Sequence, residues 1–230
     1  MKTKSKPAQS TPARRRILIV DDHPMMREGL RQLIANEPDL EVCYEAEDAP
    51  RALAAIDSLR PDLALVDISL KESNGLELIK DIRIRQPELP ALVLSMHDES
   101  LYAERVLRAG GQGYVMKDEG GVKIMAAIRQ VLAGRIYLSE KMSDRVLGKL
   151  AGKHAPASTE PSVELLTDRE FEVLQLIGRG STTRQIAEKL RVSVKTVETH
   201  RVNIKQKLKL DTAPELIRFA VRWVETQSPE

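Results

Sequence analysis

Five side chains able to do chemistry stand at the ends of short apolar runs. Ile17-Leu18-Ile19-Val20 leads into Asp21 and Asp22, Leu63 to Val66 into Asp67, Leu92 to Leu94 into Ser95, and Gly113 to Met116 into Lys117. If those runs are neighbouring strands of one sheet, three carboxylates, one hydroxyl and one ammonium converge. Carboxylates so crowded repel one another. A hard divalent cation such as Mg²⁺ relieves the repulsion, because it accepts oxygen ligands and keeps some of its waters. With part of the charge neutralised, Asp67 can attack a phosphorus atom while the cation and Lys117 stabilise the equatorial oxygens. Ser95 would then hydrogen-bond the product. Any one of these residues reads equally well as a solvated charge at a loop tip, but the set together reads as a pocket for phosphoryl transfer. His23, beside the acids, reads as a solvated residue at a helix start rather than a metal ligand or relay histidine.

A second constellation lies towards the other end of the chain. Thr167 with Glu170 forms a capping box ahead of Val173, Leu174, Leu176 and Ile177, and Gly178 to Gly180 ends that helix. A second helix carries Ile186, Ala187 and Leu190. A short turn through Val192 follows, and Ser193 caps a third helix bearing Val197, Ile204 and Leu208. This is helix-turn-helix spacing. Residues 189–209 hold seven Lys/Arg and one acid, Glu198. Charge alone suits a solvated basic face as well as contact with DNA phosphates, and the turn spacing favours DNA. By position, Glu198, Thr199 and Val202 should face base edges, while Lys195, Thr196, Arg201 and Lys205 suit phosphates. His200 either packs or touches backbone phosphate. The last helix buries Leu216, Ile217 and Val221, and its edge could pair two copies on two half-sites.

The elements that must position these groups alternate regularly. The sequence predicts strands at 17–20, 41–46, 63–66, 92–95 and 113–116, and helices at about 25–36, 49–59, 75–84, 100–109 and 120–133. Such alternation implies an α/β fold, a doubly wound parallel sheet covered by helices on both faces, with its functional groups at the carboxyl ends of the strands. Residues 134–164 admit a helical patch and then an Ala/Pro/Ser/Thr-rich extended stretch. Four helices follow, at about 168–178, 183–190, 194–209 and 213–225. The expected organisation is a basic arm over 1–15, a phosphoacceptor domain over 16–135, a linker over 136–164 and an all-α domain over 165–230.

Composition sets the remaining bounds. The 230 residues are 42% hydrophobic and 30% charged, enough for packed cores. Aromatic residues are only 3%, which argues against capture of ligands or single strands by stacking. The lone Cys43 points to a reducing compartment, and no apolar run has the length of a membrane span or signal core, so a cytoplasmic location is expected. The net charge of +2 divides unevenly: residues 1–16 carry six Lys/Arg and no acids, 17–164 a net of −7, and 165–230 a net of +3. An acidic cation-binding module joined to a basic polyanion-binding one fits that division. The basic arm is either a disordered solubilising tail or a nucleic-acid contact.

At the strand-end motifs, Ile17 to His23, Leu65-Val66-Asp67, Leu94-Ser95 and Gly113 to Lys117, the chain resembles the receiver domain of two-component response regulators. From Leu166 to Lys207-Leu208 it resembles LuxR-type DNA-binding domains, and the whole resembles a NarL/FixJ-type response regulator. The resemblance implies a flavodoxin-like sheet in the order 2-1-3-4-5, Asp67 as phosphoacceptor, and Mg²⁺ held by Asp22, Asp67 and the Ser69 carbonyl, with Asp21 acting through water. It also implies Ser95 and Tyr114 as a switch pair, Tyr114 turning inward as Ser95 moves towards phosphate, and a sensor histidine kinase as phosphodonor. A recognition helix over Val194 to Lys209, DNA promoter sites, and a homodimer when phosphorylated or DNA-bound complete what it implies. Leu70-Lys71, Ser95 and Asp118 stand where many receivers have Met-Pro, Thr and Pro, and without a proline after Lys117 no cis peptide is expected there. An enzyme is disfavoured beyond self-phosphorylation and slow autodephosphorylation, since the first strand lacks an Asp-x-Asp pair and no Gly-rich phosphate loop follows it. A constitutive DNA-binding scaffold is disfavoured by the complete acidic set.

Overall fold

The computed structural model describes residues 14–70, 74–151 and 163–227. Two compact units divide between Met142 and Ser143. In the first, five strands, β1 (Arg15–Val20), β2 (Leu40–Ala46), β3 (Leu63–Asp67), β4 (Ala91–Ser95) and β5 (Gly113–Met116), form one parallel sheet in the order β2-β1-β3-β4-β5. Helices α1 (Pro24–Ala35), α2 (Ala49–Leu59), α3 (Gly75–Arg85), α4 (Glu99–Ala109) and α5 (Gly121–Leu132) are the crossovers. Every residue of β3 and β4 is buried, as apolar runs covered on both faces require. Edge strand β2 is mostly half-exposed and carries the Glu41 and Glu45 carboxylates beside Arg16 and Arg27. The core under α1 and α5 joins Ile17, Ile19, Leu65, Leu92, Leu94 and Val115 to Leu30, Ile34, Ile124 and Ile128.

The helix starts follow from local chemistry. Pro24 opens α1 where its missing N–H costs nothing, and the side chains of Asp48, Asn74 and Asp98 accept backbone N–H groups at the starts of α2, α3 and α4. Asn74 and Asp98 therefore hold the two helices nearest the ends of β3 and β4 in place.

Two of the expected domain boundaries differ from the sequence reading. Arg15, assigned to the arm, opens β1, because its backbone N–H donates to the Asp39 carbonyl at 2.8 Å and its guanidinium pairs with Asp62; residues 1–13 of that arm lie outside the described residues. The first unit continues beyond 135. Tyr137 pairs in parallel with Gly113, and Met142, at 3% exposure, packs inside it. The helical patch in the expected linker is α6 (Glu140–Leu150), while 152–162 lie outside the described residues.

The second unit holds α7 (Asp168–Gly178), α8 (Thr183–Lys189), α9 (Val194–Lys207) and α10 (Ala213–Gln227). Both Thr167 and Thr182 make full capping boxes, with Glu170 and Gln185 respectively. Helix α9 stops at Lys207, two residues earlier than expected, because Lys209 adopts φ +52° and the Leu210 N–H returns to the Lys205 carbonyl. Helices α7 and α10 approach so closely at Gly178 that a Cβ there would collide with the Ala220 carbonyl. Phe171 meets Trp223 edge-on, with ring centroids 5.3 Å apart.

An ion pair with one buried partner braces this unit. Glu170 is buried and accepts from Lys207 Nζ at 2.6 Å and from the Thr167 N–H at 2.8 Å. Burial raises the Glu170 pKa, but Lys207 and the Thr167 cap outweigh it and hold the carboxyl below its ordinary value. A carboxylate depressed in the folded state contributes stability that is present above the ordinary glutamate value of about 4.3 and disappears as pH falls through the folded value. Glu170→Gln is therefore expected to lower stability by about 1 kcal/mol at neutral pH. Urea titrations followed by Trp223, the chain's single tryptophan, check this. The gap between variant and wild type should narrow as pH falls from the ordinary glutamate value towards the lower folded one, and a gap that does not change with pH across that acid range would contradict the assignment.

Candidate functional site

The carboxyl ends of β1, β3, β4 and β5 bring Asp21, Asp22, Asp67, Ser95 and Lys117 to one side of the sheet, as parallel strands in this order must. Lys117 Nζ lies 2.7 Å from Asp67 Oδ2 and 2.7 Å from Asp21 Oδ2, with all three side chains nearly buried. The loop carrying Lys117 is a 3-10 turn over Lys117–Glu119, and the described residues hold no cis peptide bond. Burial raises the Asp67 pKa and the neighbouring Asp21 charge adds to it; the Lys117 hydrogen bond and charge oppose them, and the carboxyl stays above its ordinary value. For Lys117, burial favours the neutral amine, but its two carboxylate partners prevail and raise its pKa. One ammonium thus faces two buried carboxylates.

Asp22 has no such partner. Its Oδ1 is buried without a hydrogen bond, although His23 Nδ1 lies 2.8 Å away. Ligand atoms of Asp21, Asp22, His23 and Asp67 all lie within 4.8 Å of one another. An unsatisfied carboxylate oxygen among crowded acids is the donor set that suits a hard divalent cation. The residues present therefore fit one. His23 is 66% exposed on its side chain, and its N–H donates to Asp21 Oδ1 at 2.8 Å, so it orders the acidic turn as well as standing in solvent. Ser69 donates its backbone N–H to Asp67 Oδ1 at 3.3 Å, which brings the 67–69 turn against the pocket.

Two residues of this site escaped the sequence reading. The first is Gly75: a Cβ there would collide with the Asp67 carbonyl oxygen, so the start of α3 can press against the end of β3 only as glycine. The second is His97. Its Nε2 lies 2.9 Å from Ser69 Oγ, its ring stacks on Tyr102 with centroids 5.0 Å apart, and its N–H donates to Ser95 Oγ at 3.1 Å. A histidine two positions past Ser95, in the loop after β4, was the available signal. The Tyr114 hydroxyl donates to the His97 carbonyl at 2.6 Å, and burial pushes its pKa far above the ordinary value, so it remains a donor. Tyr114 is already buried, at 1% exposure. The inward rotation expected of it therefore has no outward starting point in this structure.

On α9 the exposed stripe is Lys195, Glu198, Thr199 and Val202, at the i, i+3, i+4, i+7 spacing of one helix face, while Val197 and Ile204 are buried. Thr196, His200, Arg201 and Lys205 are half-buried on its flanks. The Thr196 hydroxyl is engaged with Ser193 Oγ at 2.7 Å, and its N–H with the same cap. His200 Nδ1 is buried and lacks a hydrogen bond. Lys207, counted in the basic stripe of the sequence, turns to Glu170 instead. Among the described residues no helix is long and apolar enough to cross a membrane.

Residues 17–129 match the family of response regulator receiver domains, and residues 164–220 match the luxR family of bacterial regulatory proteins. The transcriptional regulatory protein DegU of Brevibacillus brevis is 32% identical over 225 residues, covering 92% of this chain and 95% of that protein. The oxygen regulatory protein NreC of Staphylococcus carnosus is 35% identical over 211 residues, covering 90% of this chain and 97% of its own length. Among solved structures, RcsB of Salmonella enterica serovar Typhimurium, bound to promoter rprA in the presence of phosphomimetic BeF₃⁻, matches with a TM-score of 0.64 at 25% identity, covering 90% of this chain and 98% of that one.

The contact at Gly75 yields an expectation for the pocket as a whole. Gly75→Ala should destabilise the chain by on the order of 1–3 kcal/mol, since the new methyl meets backbone rather than a flexible side chain. It should also reduce the thermal stabilisation that a divalent cation confers, by displacing Asp67. Thermal melts with and without the cation measure both effects, and full retention of the cation's effect would show that the close approach does not set the position of Asp67.

Proposed function

Because this chain belongs to the response regulators of two-component signalling, a receiver domain followed by a LuxR-type DNA-binding domain, we propose that Asp67 is its phosphoacceptor and that phosphorylation there alters its binding to promoter DNA. The observation that carries this reading is the buried convergence of Asp67, Asp21 and Lys117 beside an Asp22 oxygen with no hydrogen bond. Mg²⁺ fits this donor set, with Asp22, Asp67 and the Ser69 carbonyl as ligands and Asp21 acting through water; bound, it would offset negative charge on the transferring phosphoryl group.

The residues of the chain supply the remainder. An Asp67 carboxylate oxygen attacks the phosphorus of a phosphohistidine on a sensor kinase. The new O–P bond forms as the N–P bond breaks, and the electron pair returns to the imidazole nitrogen. Lys117 moves from Asp67 Oδ2 to a phosphoryl oxygen, the Ser95 hydroxyl binds another, and burial excludes competing water. Tyr114 with Ser95 forms the switch, acting through the loop that holds His97.

In the second domain, Glu198, Thr199 and Val202 read base edges from the exposed stripe, and exposed Val202 suits a thymine methyl group. Lys195, Thr196, Arg201 and Lys205 meet phosphates, and the half-buried His200 steadies the helix. The protein acts in the cytoplasm, as a homodimer when phosphorylated or DNA-bound.

Two experiments test the two halves. Wild type incubated with Mg²⁺ and acetyl phosphate should gain one phosphoryl group by intact mass and change its DNA affinity, whereas Asp67→Asn should do neither. Continued labelling of that variant would move the acceptor elsewhere. Lys195→Ala should weaken binding to all DNA sequences alike and reduce the salt dependence of log K by about one phosphate contact. A loss confined to one sequence would make Lys195 a base reader instead.

A further inference from the structure

The segment that follows α5 is stitched to the sheet in a way the phosphoacceptor pocket does not require. Tyr137 lies against the outer edge of β5: its N–H donates to the Gln112 carbonyl at 3.0 Å, and its carbonyl accepts from the Tyr114 N–H at 3.0 Å. Gly113 permits this approach, since a Cβ there would stand 2.9 Å from the Tyr137 carbonyl oxygen. Two residues on, the Ser139 N–H donates to Glu99 Oε1 at 2.8 Å. Ser139 Oγ then accepts the Met142 N–H at 3.2 Å as α6 begins, and the Met142 side chain is buried. Residues 137–142 thus form a strap with one end on β5 and the other on the first residue of α4.

Those two anchorages differ in kind. Strand β5 is held in the sheet by its ladder to β4. Glu99 instead follows directly on the loop 96–98, which is tied to the pocket through the His97 N–H on Ser95 Oγ and to Tyr114 through the His97 carbonyl. A phosphoryl oxygen that draws the Ser95 hydroxyl towards Asp67 takes that acceptor from His97, and the loop must adjust. Its next residues are Asp98, the α4 cap, and Glu99. Tyr114 joins both sides, with its hydroxyl on the loop and its backbone N–H on the strap.

We propose that the segment Tyr137 to Met142 is a strap that reports the state of the Asp67 pocket to α6, through the hydrogen bond between Ser139 and Glu99. The proposal rests on Asp67 as phosphoacceptor. In the unphosphorylated chain both ends are seated. On phosphorylation the Tyr137 end stays paired with β5 while the Ser139 end is released, freeing the first turn of α6 from α4.

Hydrogen–deuterium exchange on the full chain tests this, with peptides covering 136–148, before and after treatment with Mg²⁺ and acetyl phosphate, and with phosphorylation scored in parallel by intact mass. Phosphorylated wild type should exchange roughly tenfold faster over 139–142, the effect of losing a hydrogen bond to a charged acceptor, with Tyr137 unchanged. Glu99→Ala should show the faster exchange without phosphorylation, and Glu99→Gln, which keeps an acceptor oxygen, should restore the slow rate. Label at Asp67 with unchanged exchange over 139–142 would overturn the strap alone. Equal exchange in Glu99→Ala and wild type would do the same. No label at Asp67 would overturn the strap together with the reading beneath it, and the mass measurement separates the two failures.

Discussion

Two buried carboxylates sharing one ammonium is the constraint on which the first unit depends. Asp67 and Asp21 end adjacent buried strands, and Lys117 arrives from two strands further along to lie 2.7 Å from each. Removing charges from water is costly, and a single cation between two anions leaves a net negative pocket with Asp22 still unsatisfied beside it. That residual charge is the kind of donor set that suits a hard divalent cation. Because Lys117 is shared between Asp21 and Asp67, a change of charge at either carboxylate bears on the other.

The same logic operates in the second unit with a different result. Glu170 is buried, but its acceptors are satisfied by Lys207 and by the Thr167 cap, so the pair fixes α9 against α7 and leaves no appetite for a ligand. Lys207 is thereby withdrawn from the basic stripe, and the exposed face of α9 is left to Lys195, Glu198, Thr199 and Val202. A satisfied ion pair builds a scaffold. An unsatisfied one builds a site.

A hydrogen-bonded series leads out of the Asp67 pocket. Ser95, His97 and Tyr114 form it, with a backbone N–H, a backbone carbonyl and a phenol linked through a three-residue loop. With Tyr114 already buried, a side-chain flip is not the available movement. The loop itself is, since it is held by contacts to the group that phosphate would recruit. Its neighbours at Glu99 and Ser139 give the movement a direction out of the pocket.

The sequence by itself determined the strand and helix order, the convergence of the five chemical groups, the capping box of Thr167 with Glu170 and the helix-turn-helix, because these depend on periodicity and on residues adjacent in the chain. Apolar runs ending in Asp, Ser or Lys suffice once the sheet is parallel. Only the tertiary structure decided which charges pair: the chain composition counts Lys207 with the DNA-facing cations, and a contact 37 residues away removes it. It likewise decided that Gly75 is needed for the backbone of α3 to meet the Asp67 carbonyl, that His97 bridges Ser69 and Ser95, and that Tyr137 lengthens the first unit by pairing with β5. Each of these is a contact between segments distant in the chain, set by how close two backbones come, and neither hydrophobic period nor residue type carries that distance.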